Sequence, residues 1–277
     1  MKGASFRTAT LGDVSMMLDW AATEGWNPGH DDAEAFYSAD PEGFFIAEVQ
    51  NKPVAAISVV NHSDTYAFLG LYLCLPEFQG QGIGFSLWNH ALDHAGDRTV
   101  GLDGVPAQEA NYAKSGFKLA SRTARWTGRL SIDDTHFTLA GPNEFAELAR
   151  MDRAATGVHR DHFLKTWIEN GPTRKTIVMN DSDGITGFAT ARLCREGCKI
   201  GPIIAANTDD AFRLAGQAAA AVKESYVTID IPDEAAPFAQ ALRQNGLSQN
   251  FGTARMFRGK APVAGTDLKA VATLELG

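Results

Sequence analysis

Leu71-Tyr72-Leu73-Cys74-Leu75-Pro76-Glu77-Phe78-Gln79-Gly80-Gln81-Gly82-Ile83-Gly84 is the stretch on which the reading of this chain turns. Its first half is apolar and aromatic, and Pro76 ends the run, as in a buried strand. Its second half places glycines at 80, 82 and 84, and Phe85, Leu87, Trp88, Ala91 and Leu92 follow at helical spacing. A strand, a glycine loop and a helix start, in that order, make an anion site. Glycine lets the backbone approach a guest closely, and the free N–H groups of the first helical turn point at it. No Gly-Lys-Ser/Thr follows Gly84, which excludes a Walker loop, and the spacing is not that of a G-x-G-x-x-G dinucleotide fingerprint. On spacing alone, a plain tight turn is the alternative.

The chain has 277 residues, which suggests two domains. A hydrophobic content of 44% and a charged content of 21% are ordinary for a globular protein with a real core. No apolar run reaches the ~18–20 residues of a membrane span, and Met1–Ser5 has no apolar signal core. The expectation is a cytoplasmic protein that engages no membrane. Cys74, Cys194 and Cys198 are an odd set without a disulfide framework. Cys194-x-x-x-Cys198 has no second ligand pair, and His159 and His162 have no third ligand, so no metal site is expected. The formal net charge is −8, of which the first 130 residues carry −6. Nucleic acid is a poor partner for such a surface, whereas a cationic small molecule would be drawn to it.

The first 130 residues read as a strand at Ser5–Thr8, a helix from Leu11, a broken connection through Gly25 and Asn27-Pro28-Gly29, and a short helix after Asp31 or Asp32. Strands follow at Phe44–Val49, Val54–Asn61 and Thr65–Leu75. Then come the glycine loop, a helix over Phe85–Ala95, a strand at Thr99–Asp103 parallel to its predecessor, a helix over Pro106–Ser115, and a strand at Ser121–Gly128.

Gln79-x-x-Gly82-x-Gly84 resembles the pyrophosphate loop of the GNAT superfamily of N-acyltransferases, and the element order over residues 5–128 matches that superfamily. Asn111-Tyr112-Ala113-Lys114-Ser115-Gly116-Phe117 is similar to its Asn…Tyr-x-x-x-Gly-Phe segment. The resemblance implies acetyl-CoA as co-substrate, held by Cys74, Leu75, Gln79, Gly80, Gln81, Gly82, Ile83, Gly84 and Asn111. It implies that a backbone N–H near Cys74 bonds the developing oxyanion and that Tyr112 protonates the leaving thiolate. It also implies that the connection between the first two helices, with Glu24, Trp26, Asp31 and Asp32, borders the acceptor pocket. A solvated loop with capping carboxylates is the alternative for that connection. Glu24, with Asp31 behind it, is the carboxylate proposed as general base; Trp26 and Asp31 are the proposed acceptor contacts. One departure stands out. Asn111 and Tyr112 are adjacent, and helix neighbours point ~100° apart, so Tyr112 is the safer of the two.

The second half echoes the first at an offset near 130. Thr253-Ala254-Arg255 repeats Thr123-Ala124-Arg125, and Val227-x-x-Asp230 repeats Val100-x-x-Asp103. Its loop position reads Ala205-Ala206-Asn207-Thr208-Asp209-Asp210, without glycine and with carboxylates that would repel a pyrophosphate. The expected architecture is α/β: two GNAT-like domains, each a mixed, mostly antiparallel sheet flanked by helices. They are an acyl-CoA-binding domain at 1–130 and a degenerate one at 131–260, followed by a tail at 261–277. Arg153 and Arg160 either face a shared cleft or form surface salt bridges.

The expected activity is direct acetyl transfer from acetyl-CoA to a primary amine of a small molecule or peptide. The alternatives are a non-catalytic acyl-CoA sensor and a protein-lysine acetyltransferase. The reading leaves room for a homodimer.

Overall fold

A computed structural model describes residues 3–132 and 136–277. The first half runs β1 (Ser5–Thr8), α1 (Leu11–Thr23), α2 (Asp32–Ala39), β2 (Phe44–Val49), β3 (Lys52–Asn61), β4 (Tyr66–Cys74), α3 (Ile83–Ala95), β5 (Thr99–Gly104), α4 (Glu109–Lys114) and β6 (Lys118–Arg129). The second half repeats that order after the short β7 (Thr138–Leu139): α5 (Phe145–Thr156), α6 (Asp161–Trp167), β8 (Arg174–Asp181), β9 (Gly184–Leu193), β10 (Cys198–Ala205), α7 (Thr208–Ala221), β11 (Tyr226–Pro232), α8 (Ala236–Gln244) and β12 (Ser248–Arg258). A last strand, β13 (Leu268–Ala270), follows. The architecture is mixed α/β, as expected.

One sheet spans the chain in the order β1-β2-β3-β4-β5-β12-β6-β11-β10-β9-β8-β7, with β13 on β10. Its centre is exchanged between the halves. β12 pairs with β5 of the first half, and β6 pairs with β11 of the second. The two exchanged strands pair antiparallel with each other, with Thr123 opposite Thr253. The repeated motifs lock this exchange. Arg255 lies opposite Asp103 and donates two hydrogen bonds to it (2.8 and 2.5 Å), while Arg125 lies opposite Asp230 and does the same (2.7 and 2.8 Å). Each aspartate therefore takes its arginine from the other half. Burial works against the charged form of Asp230, yet Arg125, with Lys199 and Arg192 nearby, holds its carboxyl below the usual range.

α3 packs over one face of the first half, where Leu87, Ala91 and Ala95 meet Val54, Ile57, Ala67, Val100 and Leu102. α7 covers the second half in the same way with Ala211, Leu214, Ala215 and Ala218. The other face is one shared core, in which Met17, Phe36 and Leu71 pack with Phe163, Trp167, Phe188 and Leu276.

An ionic cluster at the edge of this core fixes the connection between α1 and α2. Asp32 is buried, accepts from Gly29 N (2.7 Å), and pairs with Arg174 (2.9 Å) and Arg192 (3.1 Å). Both guanidiniums lie over the Trp167 ring, 4.7 and 4.3 Å from its centroid. Asp32 therefore binds the second half instead of capping its own helix, and Asp31, at the N-cap, makes no side-chain cap either.

The segment after residue 260 is small and polar in composition, yet its end is packed inside. Ala270, Val271, Ala272 and Leu276 are buried. Val271 N donates to Asp230 O (3.0 Å) and His62 Nε2 to Leu276 O (2.8 Å). Burial pushes His62 down to about 4, so its imidazole is neutral. The segment touches a glycine in each half. A Cβ on Gly70 would collide with Glu275 O, and one on Gly201 with Val271 O.

Candidate active site

β4 and β5 run parallel and pair from Tyr66↔Thr99 to Leu69↔Leu102. Beyond that level no pairing joins them, although β4 continues to Cys74 and β5 to Gly104. The strands splay toward the glycine loop. The cause is a bulge in β4 against β3, where the register shifts between Ala56 and Ser58. Its centre is Leu71, buried, with φ +46°. A branched residue in the left-handed region stores backbone strain and marks a shaped site. Leu75 N donates to Val54 O (2.9 Å), toward β3. Alternation along the strand turns the Cys74 N–H the other way, into the gap. Burial, with Glu77 nearby, pushes the Cys74 thiol up, so it stays protonated.

A single turn at Pro76–Phe78 leads from β4 into the loop, where Gly80 (φ +72°) and Gly82 (φ +82°) are left-handed. A Cβ on either would meet nothing within 4 Å, so it is the backbone angle that asks for glycine there, and the space above the loop is open. Gly82 is the N-cap of α3 and supplies no side-chain cap, and no acid lies in the first turn. The positive end of α3 is thus exposed to a guest. Ile83 turns into the core beneath and anchors the turn. The two glutamines brace the loop: Gln79 Nε2 donates to Cys74 O (2.9 Å) and Gln81 Nε2 to Glu77 O (2.7 Å).

Three aromatic rings wall the gap on the α3 side. Tyr112 lies flat on Trp88 (centroids 5.7 Å, 15°), and Tyr72 meets Trp88 edge-on (5.3 Å, 70°). A Cβ on Gly104 would overlap the Tyr112 ring, and one on Gly84 would lie 2.6 Å from the Tyr72 hydroxyl oxygen. Both glycines make room for a tyrosine. Burial pushes Tyr72 up to about 12 and Tyr112 up as well, so both keep their protons at neutral pH. Trp88 is buried, and its Nε1 has no hydrogen-bond partner. Such a donor is rare in a folded chain and suits a site that takes a polar guest. Tyr72 and Trp88 were not singled out in the sequence. Their signal is positional, two residues before Cys74 and four after Gly84.

The structure therefore gathers Cys74, Leu75, Gln79, Gly80, Gln81, Gly82, Ile83, Gly84 and Tyr112 around one gap. Asn111 points elsewhere: it is exposed, bonded to Gln108 Oε1 (2.6 Å) and to Lys114 Nζ (3.1 Å) along its own helix. Glu24 is exposed at the C-cap of α1. The connection that follows is spent on the second half. Asp31 accepts from Thr173 Oγ1, Trp26 O accepts from Lys199 Nζ (2.8 Å), and Gly29 bridges to Cys194. Arg160 is buried in a bidentate pair with Asp152 (2.8 and 2.7 Å) and reaches Gly277 O, whereas Arg153 is exposed beside Asp161. No group of three or more potential metal ligands occurs among the described residues.

The corresponding place in the second half is closed. Asn207 caps α7 by accepting from Asp210 N (2.9 Å), with Asp209 and Asp210 in the first turn. β10 pairs with β11 only at Cys198↔Val227 and Lys199↔Thr228, after which β13 runs along β10 at Ile203 and Ile204.

Comparison with known proteins gives the family. A family model described as "Acetyltransferase (GNAT) family" matches residues 13–117, and one described as "Acetyltransferase (GNAT) domain" matches residues 148–268. The chain is 36% identical over 277 residues to a holothin acyltransferase of Pseudoalteromonas sp. (strain SANK 73390), covering 98% of this chain and 94% of that protein. It is 26% identical over 224 residues to the uncharacterized N-acetyltransferase YitH of Bacillus subtilis (strain 168), covering 76% of each. Likenesses to two solved structures speak for the fold. A putative acetyltransferase from Pyrococcus horikoshii superposes with a TM-score of 0.82 at 20% identity, over 100% of this chain and 97% of that one. A tandem GNAT protein from the clavulanic acid biosynthesis pathway gives 0.61 at 15%, over 94% and 100%. With a GNAT match in each half and a full-length acyltransferase relative, this chain belongs to the GNAT acyltransferase superfamily, in its tandem form.

Proposed function

We propose that the protein is an N-acyltransferase that moves an acetyl group from acetyl-CoA to the primary amine of a small molecule in the cytoplasm. The observation that carries the donor half is the open, uncapped start of α3 at the mouth of the splayed strands. The acceptor half draws on the full-length relative named a holothin acyltransferase.

In this reading residues 1–130 hold the donor, 131–260 are a degenerate partner, and 261–277 tie the two together. The loop amides of Gly80–Gly84 take the pyrophosphate, and the Cys74 N–H faces the oxyanion as it develops. The N–C bond forms as the C–S bond breaks. Tyr112 gives its proton to the thiolate, whose intrinsic pKa near ~8.5 makes modest help sufficient. The proton shed by the amine passes to a carboxylate, for which Glu24 is the candidate on the α1 side. The closed start of α7 argues that the second half holds no donor.

The test is acetyl-CoA calorimetry joined to a thiol-release assay over a panel of small amines. One donor per chain and turnover with at least one amine are expected. Two equivalent sites would overturn the assignment of the halves. Saturable binding with no turnover across the panel would favour an acyl-CoA sensor.

A further inference from the structure

Phe85 is the most exposed aromatic residue among those described, at 64%. A single apolar side chain at the surface needs no explanation by itself. The other exposed aromatics, however, have partners. Tyr72 leans on Trp88, and Phe251 and Tyr226 lie under Arg125 and Arg129. Phe85 has no ring or cation against it among the described residues and belongs to none of the hydrophobic clusters. Its place is the first turn of α3, one residue beyond Gly84, the last glycine of the loop. Ile83 and Leu87 turn into the core, and Phe85, two residues from each, is turned away from the sheet. It shares a flank with Trp88, three residues on, whose ring lies against Tyr112 of α4. Phe85 therefore stands on the α4 side of α3, one turn nearer the loop. Aromatic side chains on a helix lean back toward its N-terminus, which brings the ring beside the glycine loop.

Charge makes that position consequential. The first 130 residues carry −6, and an anionic donor gains nothing from that field. No lysine or arginine occurs from Pro53 to Asp97, a stretch that holds β4, the loop and all of α3. The loop and its helix thus attract a pyrophosphate through backbone groups alone. Further affinity for the donor has to come from contacts that do not depend on charge. A bare aromatic ring at the edge of an anion site offers one, because every nucleobase has a flat face that stacks on it.

We infer that Phe85 is a stacking platform for the purine of the donor, and that it makes the protein select a nucleotide-bearing thioester over the same acyl arm without its nucleotide. The inference rests on the acyl-CoA reading above. In CoA a single ribose separates the pyrophosphate from the adenine, so a base attached there is within the reach of a ring in the first turn. The stack covers apolar surface that the free protein leaves in water.

Calorimetry with two donors tests this: acetyl-CoA, and acetyl-phosphopantetheine, which has the same thioester arm and no nucleoside. The wild type should bind acetyl-CoA the more tightly. Phe85→Ala should raise the Kd for acetyl-CoA about tenfold, the scale of one base–aromatic stack. It should leave the affinity for acetyl-phosphopantetheine and the thermal midpoint at their wild-type values, since nothing packs on the ring. Phe85→Leu keeps apolar bulk without a flat face and should lose nearly as much as Phe85→Ala, whereas Phe85→Trp should bind acetyl-CoA as the wild type does. An unmoved acetyl-CoA Kd in Phe85→Ala, an equal loss for both donors, or full affinity in Phe85→Leu would each overturn the inference. Failure of the wild type to bind acetyl-CoA is a different result, which removes the donor reading and this one together.

Discussion

Tyr112 is positioned by its neighbours more than by its own helix, which is barely two turns long. Trp88 stacks on one side and Gly104 leaves room on the other. Tyr112→Phe keeps the ring and removes only the hydroxyl. We expect kcat to fall about 10²-fold, the scale of general acid catalysis, with donor affinity and thermal midpoint retained. The loss should shrink for acyl donors whose thiols are more acidic. Stopped-flow thiol release checks this, and full activity in the variant would leave Tyr112 a packing residue. The sequence placed Tyr112 because its distance from Gly116-Phe117 is set by one helix. It could not place Asp31 or Trp26. Their partners Thr173 and Lys199 lie more than 140 residues away, and a polar residue in a loop looks the same whether it faces water or another part of the chain.

The helices α3 and α7 occupy equivalent places and differ in how they begin. Gly82 leaves the first turn of α3 bare, and Asn207 with two aspartates closes that of α7. Gly82→Asp should weaken acetyl-CoA binding severely, because it sets a carboxylate where the proposed reading puts the pyrophosphate. Gly82→Ala separates the causes: it bears the cost of φ +82°, about 1 kcal/mol, without the charge. Calorimetry should therefore rank wild type, Ala and Asp in falling affinity, and an Asp variant equal to Ala would remove the anion site from this loop. Most elements were legible to within a few residues, since alternating or helical apolar runs and glycine stops are local signals. The exchange of β6 and β12 was not. Thr-Ala-Arg occurs in both strands and Asp in both partners, so either pairing satisfies the local pattern and only the three-dimensional path of the chain chooses. The packed terminal segment was equally hidden, because Val271, Ala272 and Leu276 follow no period.

Across the molecule, the crossed pairs Asp103–Arg255 and Asp230–Arg125 make each half depend on the other. Arg125→Met leaves Asp230 buried and unpaired, and should cost about 3 kcal/mol at neutral pH. Because the pair holds Asp230 below the ordinary carboxylate range, the wild type keeps this stabilisation above that range and loses it as pH falls through the folded value. In the variant the stranded carboxylate titrates higher, so the deficit should narrow on acidification. Denaturant unfolding followed by fluorescence and far-UV circular dichroism should give one coincident transition in both proteins. Two separated transitions would show that the halves unfold independently.

The exchanged strands also bear on how the protein is made. During synthesis the first half leaves the ribosome with β5 and β6 finished, but β12, which must lie between them, is more than a hundred residues from being translated. Until it arrives, both strands offer unpaired backbone edges, the kind of surface that recruits other nascent chains. The first half therefore cannot complete its sheet as it emerges, and maturation waits for the last strands of the chain. A gene fragment that stops after β6 encodes a sheet with its middle strand missing.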